Sequence, residues 1–270
     1  MKCFLIEIIN AFIVLIKALT FKMGNNNTIQ IVPSSYVNSR KFILAIIDAQ
    51  NDFCSGGTLA VKGADDIIAP INKLRFMYYD HMETFISLDY HNAKHMSFGE
   101  THGKEIHKEH NLHLEMEDGT FTDVKQTLWP VHCVENTKGS ELHRDLIVTK
   151  KDFIVRKGTK KNVESYSAFG DEFRGKYEKT DLSDYLKSKN ITDIILTGLA
   201  TDYCVYNTAL DARRNSYEVH LIMSCTRGVA EDTTLTALNS MSDAGVKFYE
   251  HVDDFYNTFK NDIIYSNHTK

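Results

Sequence analysis

From Lys41 onward, short and nearly continuous apolar runs alternate with segments whose apolar residues recur at helical spacing, and few folds accept that pattern. Phe42 to Ile47 is apolar throughout, the mark of a strand covered on both faces, and it stops at Asp48. After the Gly56-Gly57 turn, Asp65 to Met77 carries Ile67, Ile68, Ile71 and Leu74 three and four residues apart, which predicts a helix. The same reading places strands at Thr84–Leu88, Asp152–Arg156, Asp193–Thr197, Glu218–Met223 and Val246–Tyr249. It places helices at Asp181–Lys189, from Tyr203 onward and at about Asp232–Asp243. Strand and helix in alternation imply an α/β fold: an open, mostly parallel six-stranded sheet with helices on both faces, three layers in all. There are no internal repeats.

At 270 residues and 43% hydrophobic side chains the chain can bury a full core, and no linker divides it. One domain is expected over residues 41–262, with an insertion near 99–126 and residues 1–40 outside it. Phe4 to Leu19 is mostly apolar but is interrupted by Glu7, Asn10 and Lys17, too short and too polar a run for a membrane span. Only Lys2 supplies positive charge before it and no small-x-small cleavage site follows, so it does not read as a signal peptide. Two readings stay open for residues 4–19: an interfacial amphipathic anchor, and a start placed upstream of a true beginning at Met23. A net charge of −5 with no basic stripe argues against nucleic acid and for a small-molecule partner. Five cysteines, odd in number and without a C-x-x-C, point to reduced thiols and a cytoplasmic location, nuclear included.

Asp48, Asp89, Lys157 and the turn carrying Cys204 each lie just past the C-terminal end of a predicted strand. In an open parallel sheet those ends form one edge, where ligands bind. Taken singly, each aspartate is a turn former or helix cap, and Lys157 is a surface lysine beside Arg156, Lys160 and Lys161. Four such groups on one edge favour chemistry. Gly198 to Thr201 makes a tight turn that puts Cys204 in the first turn of a helix, where unpaired N–H groups and the helix dipole are expected to lower the thiol pKa from about 8.5. A carboxylate in reach can take the thiol proton as sulfur attacks a carbonyl and return it to a departing amine. Lys157 would hold Asp48 ionised and lower the thiol pKa further.

Asp89 and His91, two apart on an extended segment, share a face. His132 can complete an Asp plus two His set, which leaves coordination positions open as a catalytic zinc site does. The histidine-rich run His102, His107, His110 and His113 reads instead as a solvated insertion.

The segments Asp48-Ala49-Gln50-Asn51-Asp52-Phe53, Asp89-Tyr90-His91, Trp129-Pro130-Val131-His132-Cys133-Val134, Arg156-Lys157-Gly158, Ser165-Tyr166-Ser167-Ala168-Phe169 and Gly198-Leu199-Ala200-Thr201-Asp202-Tyr203-Cys204-Val205 resemble, in order, the nicotinamidases of the isochorismatase-like cysteine hydrolase superfamily. The resemblance runs from about Lys41 to Glu250. It implies an Asp48, Lys157, Cys204 triad and a divalent metal, usually zinc, on Asp89, His91 and His132 that binds the pyridine nitrogen of nicotinamide. It also implies a ring pocket of Phe53, Trp129 and Tyr166, an oxyanion hole from the amides of Ala200 and Cys204, and a cis Leu199–Ala200 peptide. The implied reaction is hydrolysis of nicotinamide to nicotinate and ammonia in NAD salvage, by a homo-oligomer. Tyr90 and Asn92 stand where the family commonly has Trp and Pro, which touches pocket shape but keeps the ligands. The tract from about Gly99 to Gln126 resembles the longer eukaryotic type. Pyrazinamide cleavage, a carbamoyl-cleaving amidohydrolase that dispenses with the metal, and an inactive binding module are the alternatives; isochorismatase proper generally lacks the cysteine and the metal set.

Overall fold

The computed structural model describes residues 20–23, 29–32, 40–78, 82–170 and 179–265 of the chain. The chain divides into two units, residues 1–39 and 40–270. In the first, β1 (Thr20–Met23) pairs antiparallel with β2 (Ile29–Val32). The apolar run at residues 4–19, with both of its readings, lies outside the described residues.

In the second unit, β3 (Phe42–Ile47), β4 (Glu83–Asp89), β7 (Phe153–Lys157), β8 (Asp193–Leu199), β9 (Glu218–Arg227) and β10 (Lys247–Tyr249) form a sheet of order β10-β9-β8-β3-β4-β7. Every pairing in it is parallel. The predicted strands are all present, most of them longer by a residue or more at an end. β9 gains most, because it continues past Met223 to Arg227 alongside Gly198 and Leu199 through a register shift.

The pleat of β3 explains the three layers. Phe42, Leu44 and Ile46 face α1 (Ile68–Met77), through Ile68, Ile71 and Leu74, and α6 (Val252–Tyr265), through Val252, Phe255 and Phe259. Ile43, Ala45 and Ile47 face α3 (Leu182–Ser188), α4 (Tyr206–Arg214) and α5 (Glu231–Asp243). A strand apolar at every position can bury both faces only between two helical layers. Each large aliphatic side chain so buried contributes about 1.5–3 kcal/mol.

The inserted tract contains α2 (Gly99–His102) and an antiparallel hairpin, β5 (Glu109–Glu115) with β6 (Phe121–Thr127). Its alternation is strict on one side: Leu112, Leu114 and Met116 pack on Met96, Leu128 and Val163 as a small separate core. No helix of the described residues is long and apolar enough to cross a membrane.

Candidate active site

The strand order makes β8, β3, β4 and β7 consecutive neighbours, so the residues at their C-terminal ends meet. Asp48 follows β3 in a left-handed conformation (φ 46°). Its carboxylate is fixed by the Ser87 hydroxyl, which donates to Oδ1 at 2.6 Å. Asp89 ends β4 and sits opposite Lys157, the last residue of β7. The Lys157 ammonium lies 2.9 Å from Asp48 Oδ2, donates to Asp89 Oδ1, and reaches Cys204 Sγ at 3.3 Å. All four residues are buried, with Asp48 and Lys157 at 0% exposure and Cys204 at 5%. Gln50, unforeseen in the sequence, ties this edge together: its amide nitrogen donates to the Asp89 and Ser140 carbonyls and its oxygen accepts the Asp89 N–H.

Cys204 departs from expectation in two ways. Its turn, Thr201–Val205, is π-helical, with the N–H of Val205 donating to the Ala200 carbonyl at 3.1 Å, and α4 begins only at Tyr206. Its thiol pKa is also not lowered. Burial pushes it well above the ordinary thiol range, and the nearby Lys157 ammonium only partly offsets this. Burial likewise raises Asp48 against the pull of Lys157, and Lys157 itself is raised because two carboxylates outweigh its own burial. The resting site therefore holds a protonated thiol beside a carboxylate made more basic, a pair set up for proton transfer on demand. The peptide before this turn, Leu199–Ala200, is cis.

The second cluster shares Asp89 with the first. Its Oδ2 lies 3.6 Å from His91 Nε2 and 3.8 Å from His132 Nε2. Each imidazole is oriented from behind: His91 Nδ1 is 2.8 Å from the Gly158 carbonyl and His132 Nδ1 is 2.7 Å from the Pro130 carbonyl. A carbonyl can only accept, so Nδ1 carries a proton in both rings and each Nε2 is turned toward the Asp89 carboxylate, free to ligate a cation once it is neutral. This is the back-bonded arrangement by which proteins aim histidines at a metal, and the donor set suits a divalent ion such as zinc. Burial disfavours charge on His91, yet Asp89 overrides it and raises His91 to about 9; burial and the neighbouring His91 together push His132 down to about 4.

Gly158 is required at its position. With φ at 62°, a Cβ there would lie 2.4 Å from His91 Cε1. Gly158→Ala is therefore expected to displace the His91 ring and weaken zinc binding by at least about tenfold, the scale seen when support of a metal ligand is lost. Isothermal titration of the stripped variant with zinc measures this; unchanged affinity would count against His91 as a ligand.

Aromatic side chains wall the site. Phe53 packs on His132 at 5.5 Å, and Trp129 meets Tyr203 edge-on at 4.8 Å. The Tyr166 hydroxyl accepts from Trp129 Nε1 and from Gln126 Nε2, both at 3.0 Å, so the inserted hairpin supplies one of its polar contacts. Tyr90 points away from the ligands; Asn136 holds its hydroxyl and the Arg156 guanidinium covers its ring at 4.6 Å. His95 stacks on His91 at 4.1 Å with both ring nitrogens engaged, by Ser97 and by the Val163 carbonyl. Gln126, Tyr203 and His95 carried no spacing signal. The histidine-rich run is dispersed: His102 bonds the Met96 carbonyl, His110 the Glu105 carbonyl and His113 the Asp123 carboxylate, while His107 packs on Trp129.

Comparison with known proteins agrees with this fold. The family model described as the isochorismatase domain matches residues 42–252. The chain belongs to the isochorismatase family. Among members of the family, it is 39% identical over 213 residues to the nicotinamidase of Escherichia coli (strain K12), covering 78% of this chain and 95% of that enzyme. The nicotinamidase pyrazinamidase of Acinetobacter baumanii has a solved structure that superposes with a TM-score of 0.69 at 33% identity, over 81% of this chain and 99% of that one. The pyrazinamidase of Pyrococcus horikoshii, solved in complex with zinc, gives a TM-score of 0.62 at 30% identity, over 77% of this chain and 98% of that one. The isochorismatase fold accounts for the open parallel sheet.

Proposed function

We propose that this protein is a nicotinamidase, hydrolysing nicotinamide to nicotinate and ammonia in NAD salvage. The observation that carries the reading is that Asp89 is shared between a buried Lys157–Asp48–Cys204 cluster and two back-bonded histidines, which puts a nucleophile next to a metal-type donor set. The names of the relatives support the substrate. In this reading Asp48 takes the Cys204 proton as sulfur attacks the carboxamide carbon. The backbone N–H groups of Ala200 and Cys204 hold the developing oxyanion, where loss of one donor typically costs about 10²–10³ in rate. Asp48 returns the proton to the departing ammonia. It then takes a proton from water, whose oxygen attacks the thioester carbonyl; nicotinate leaves and the proton goes back to sulfur. Lys157 steadies Asp48 throughout, and Phe53, Trp129 and Tyr166 hold the ring. A zinc ion on Asp89, His91 and His132 would supply a Lewis acid that orients the pyridine nitrogen.

The protein is taken as cytoplasmic, in keeping with its reduced cysteines, and as a homo-oligomer. Ammonia release from nicotinamide by the purified chain tests the reading. Turnover is expected to fall on chelation and to return with added zinc. No release from nicotinamide, with chelator-insensitive release from carbamoyl compounds, would replace it by a metal-independent amidohydrolase.

A further inference from the structure

Beside the loop that follows β3, three side chains outside the catalytic cluster meet: Cys54 and Asp65, close in sequence, and His143 from much later in the chain. One donor atom from each, Cys54 Sγ, an Asp65 carboxylate oxygen and a His143 ring nitrogen, lies within 4.8 Å of the other two. We propose that these residues form a second binding site, for a thiophilic divalent cation of the zinc class. His143 Nε2 and Asp65 Oδ1 are 3.4 Å apart. Two donors on one tetrahedral zinc with bonds of about 2.0–2.1 Å are spaced by about 3.3–3.4 Å, so this pair already stands at ligand spacing.

The support behind the ligands resembles that of a metal site. Asp65 Oδ2 accepts the Ser55 backbone N–H at 3.0 Å and the Ser55 hydroxyl, which fixes the carboxylate and turns Oδ1 toward His143. Cys54 N–H donates to the Asn51 carbonyl, and its own carbonyl accepts from Gly57. His143 N–H donates to the Ala49 carbonyl at 2.8 Å. The thiol lies inside, Cys54 being 2% exposed, while the Asp65 side chain is 41% exposed, which leaves an entry path from solvent.

Two further donor clusters are less suitable. In the group of His91, His95 and Glu164, the His95 nitrogens are both engaged. In the group of Asp48, Asp89 and Cys204, the Lys157 ammonium already sits among the donors. Ligation by His143 has one local requirement. Its Nδ1 accepts the Asp145 N–H at 3.2 Å, so Nε2 bears the proton until the ring switches tautomer and gives up that contact. Binding then releases the Cys54 thiol proton to solvent. The bound cation would tie the turn that carries Phe53 to the segments of Asp65 and His143, bracing one wall of the pocket.

Cobalt titration tests the site, because only this one contains a thiolate. Metal-stripped wild type and Cys204→Ala are both expected to bind two equivalents of Co²⁺, one of them with a thiolate-to-cobalt charge-transfer band in the near ultraviolet. In Cys54→Ser the band should disappear and the stoichiometry fall to one. The exposed Asp65→Asn, which leaves the thiol and the buried packing in place, should weaken that equivalent at least tenfold. One equivalent without a band in wild type, a band that survives Cys54→Ser, or an unchanged affinity in Asp65→Asn would overturn the proposal.

Discussion

Cys204→Ala is expected to lower kcat for nicotinamide by about 10⁴-fold or more while leaving the fold intact. The neighbouring amine and thiol are poor substitutes: Lys157 is held protonated by two carboxylates, and the Cys133 thiol is buried and raised well above its ordinary pKa. What remains after the substitution is the rate supported by ring binding and the oxyanion amides alone, as when the nucleophile of a hydrolytic triad is removed. Ammonia release measures the loss, and a thermal melt confirms the fold. Asp48→Asn should also fall by about 10²–10⁴-fold, since it preserves shape but cannot accept a proton. Turnover of Cys204→Ala within tenfold of wild type would remove the nucleophile from the mechanism.

Lys157→Met is expected to destabilise the protein by about 3–5 kcal/mol at neutral pH, the usual cost of leaving a buried charge without its partner. The ammonium is fully buried and faces two carboxylates, Asp48 at 0% and Asp89 at 5% exposure. In the native protein burial works to raise Asp89, yet Lys157 and the two histidines hold it well below the ordinary carboxylate range. Asp48 is already raised by burial, and the substitution removes the lysine that pulls it down. A carboxylate whose folded pKa lies above its unfolded value binds more protons when folded, so the added cost is greatest at high pH and shrinks as pH falls through the folded pKa. Urea unfolding of the stripped proteins at pH 7 and at about pH 5 should thus show the gap between wild type and variant narrowing with acid. A gap that is small at neutral pH, or that widens on acidification, would mean that Lys157 is not the counter-charge of this pair.

The two experiments separate chemistry from architecture. Cys204 lies in the turn that follows a strand already buried by both helical layers, so removing its sulfur changes little packing. Lys157 neutralises charges that the fold has itself placed out of water, so its removal is felt first as instability.

Much of this arrangement was legible in the chain. Phe42–Ile47 is apolar and buried at every position, and Asp193–Leu199 is buried throughout with only Asp193 and Thr197 polar; runs of this kind mark central parallel strands. The residue that breaks each run is then forced onto the C-terminal edge, which is why Asp48, Asp89, Lys157 and the turn to Cys204 could be grouped from spacing alone. Less legible was the hairpin of residues 109–127. Its charged, histidine-rich outer face hides the short alternation Leu112, Leu114, Met116, and its contribution of Gln126 to Tyr166 depends on how it folds back.

Local sequence thus determined the sheet, its two-sided cover and the residues along its reactive edge, because apolar periodicity is a property of neighbours in the chain. Tertiary structure alone decided the protonation of that edge. The sequence placed Cys204 by a helix start, where a lowered thiol pKa is expected, but desolvation by the surrounding layers is the larger influence and reverses the sign. It alone also brought Cys54, Asp65 and His143 together from segments with no periodic relation to one another. Burial and long-range proximity are sums over the whole packed molecule, and no window of sequence contains them.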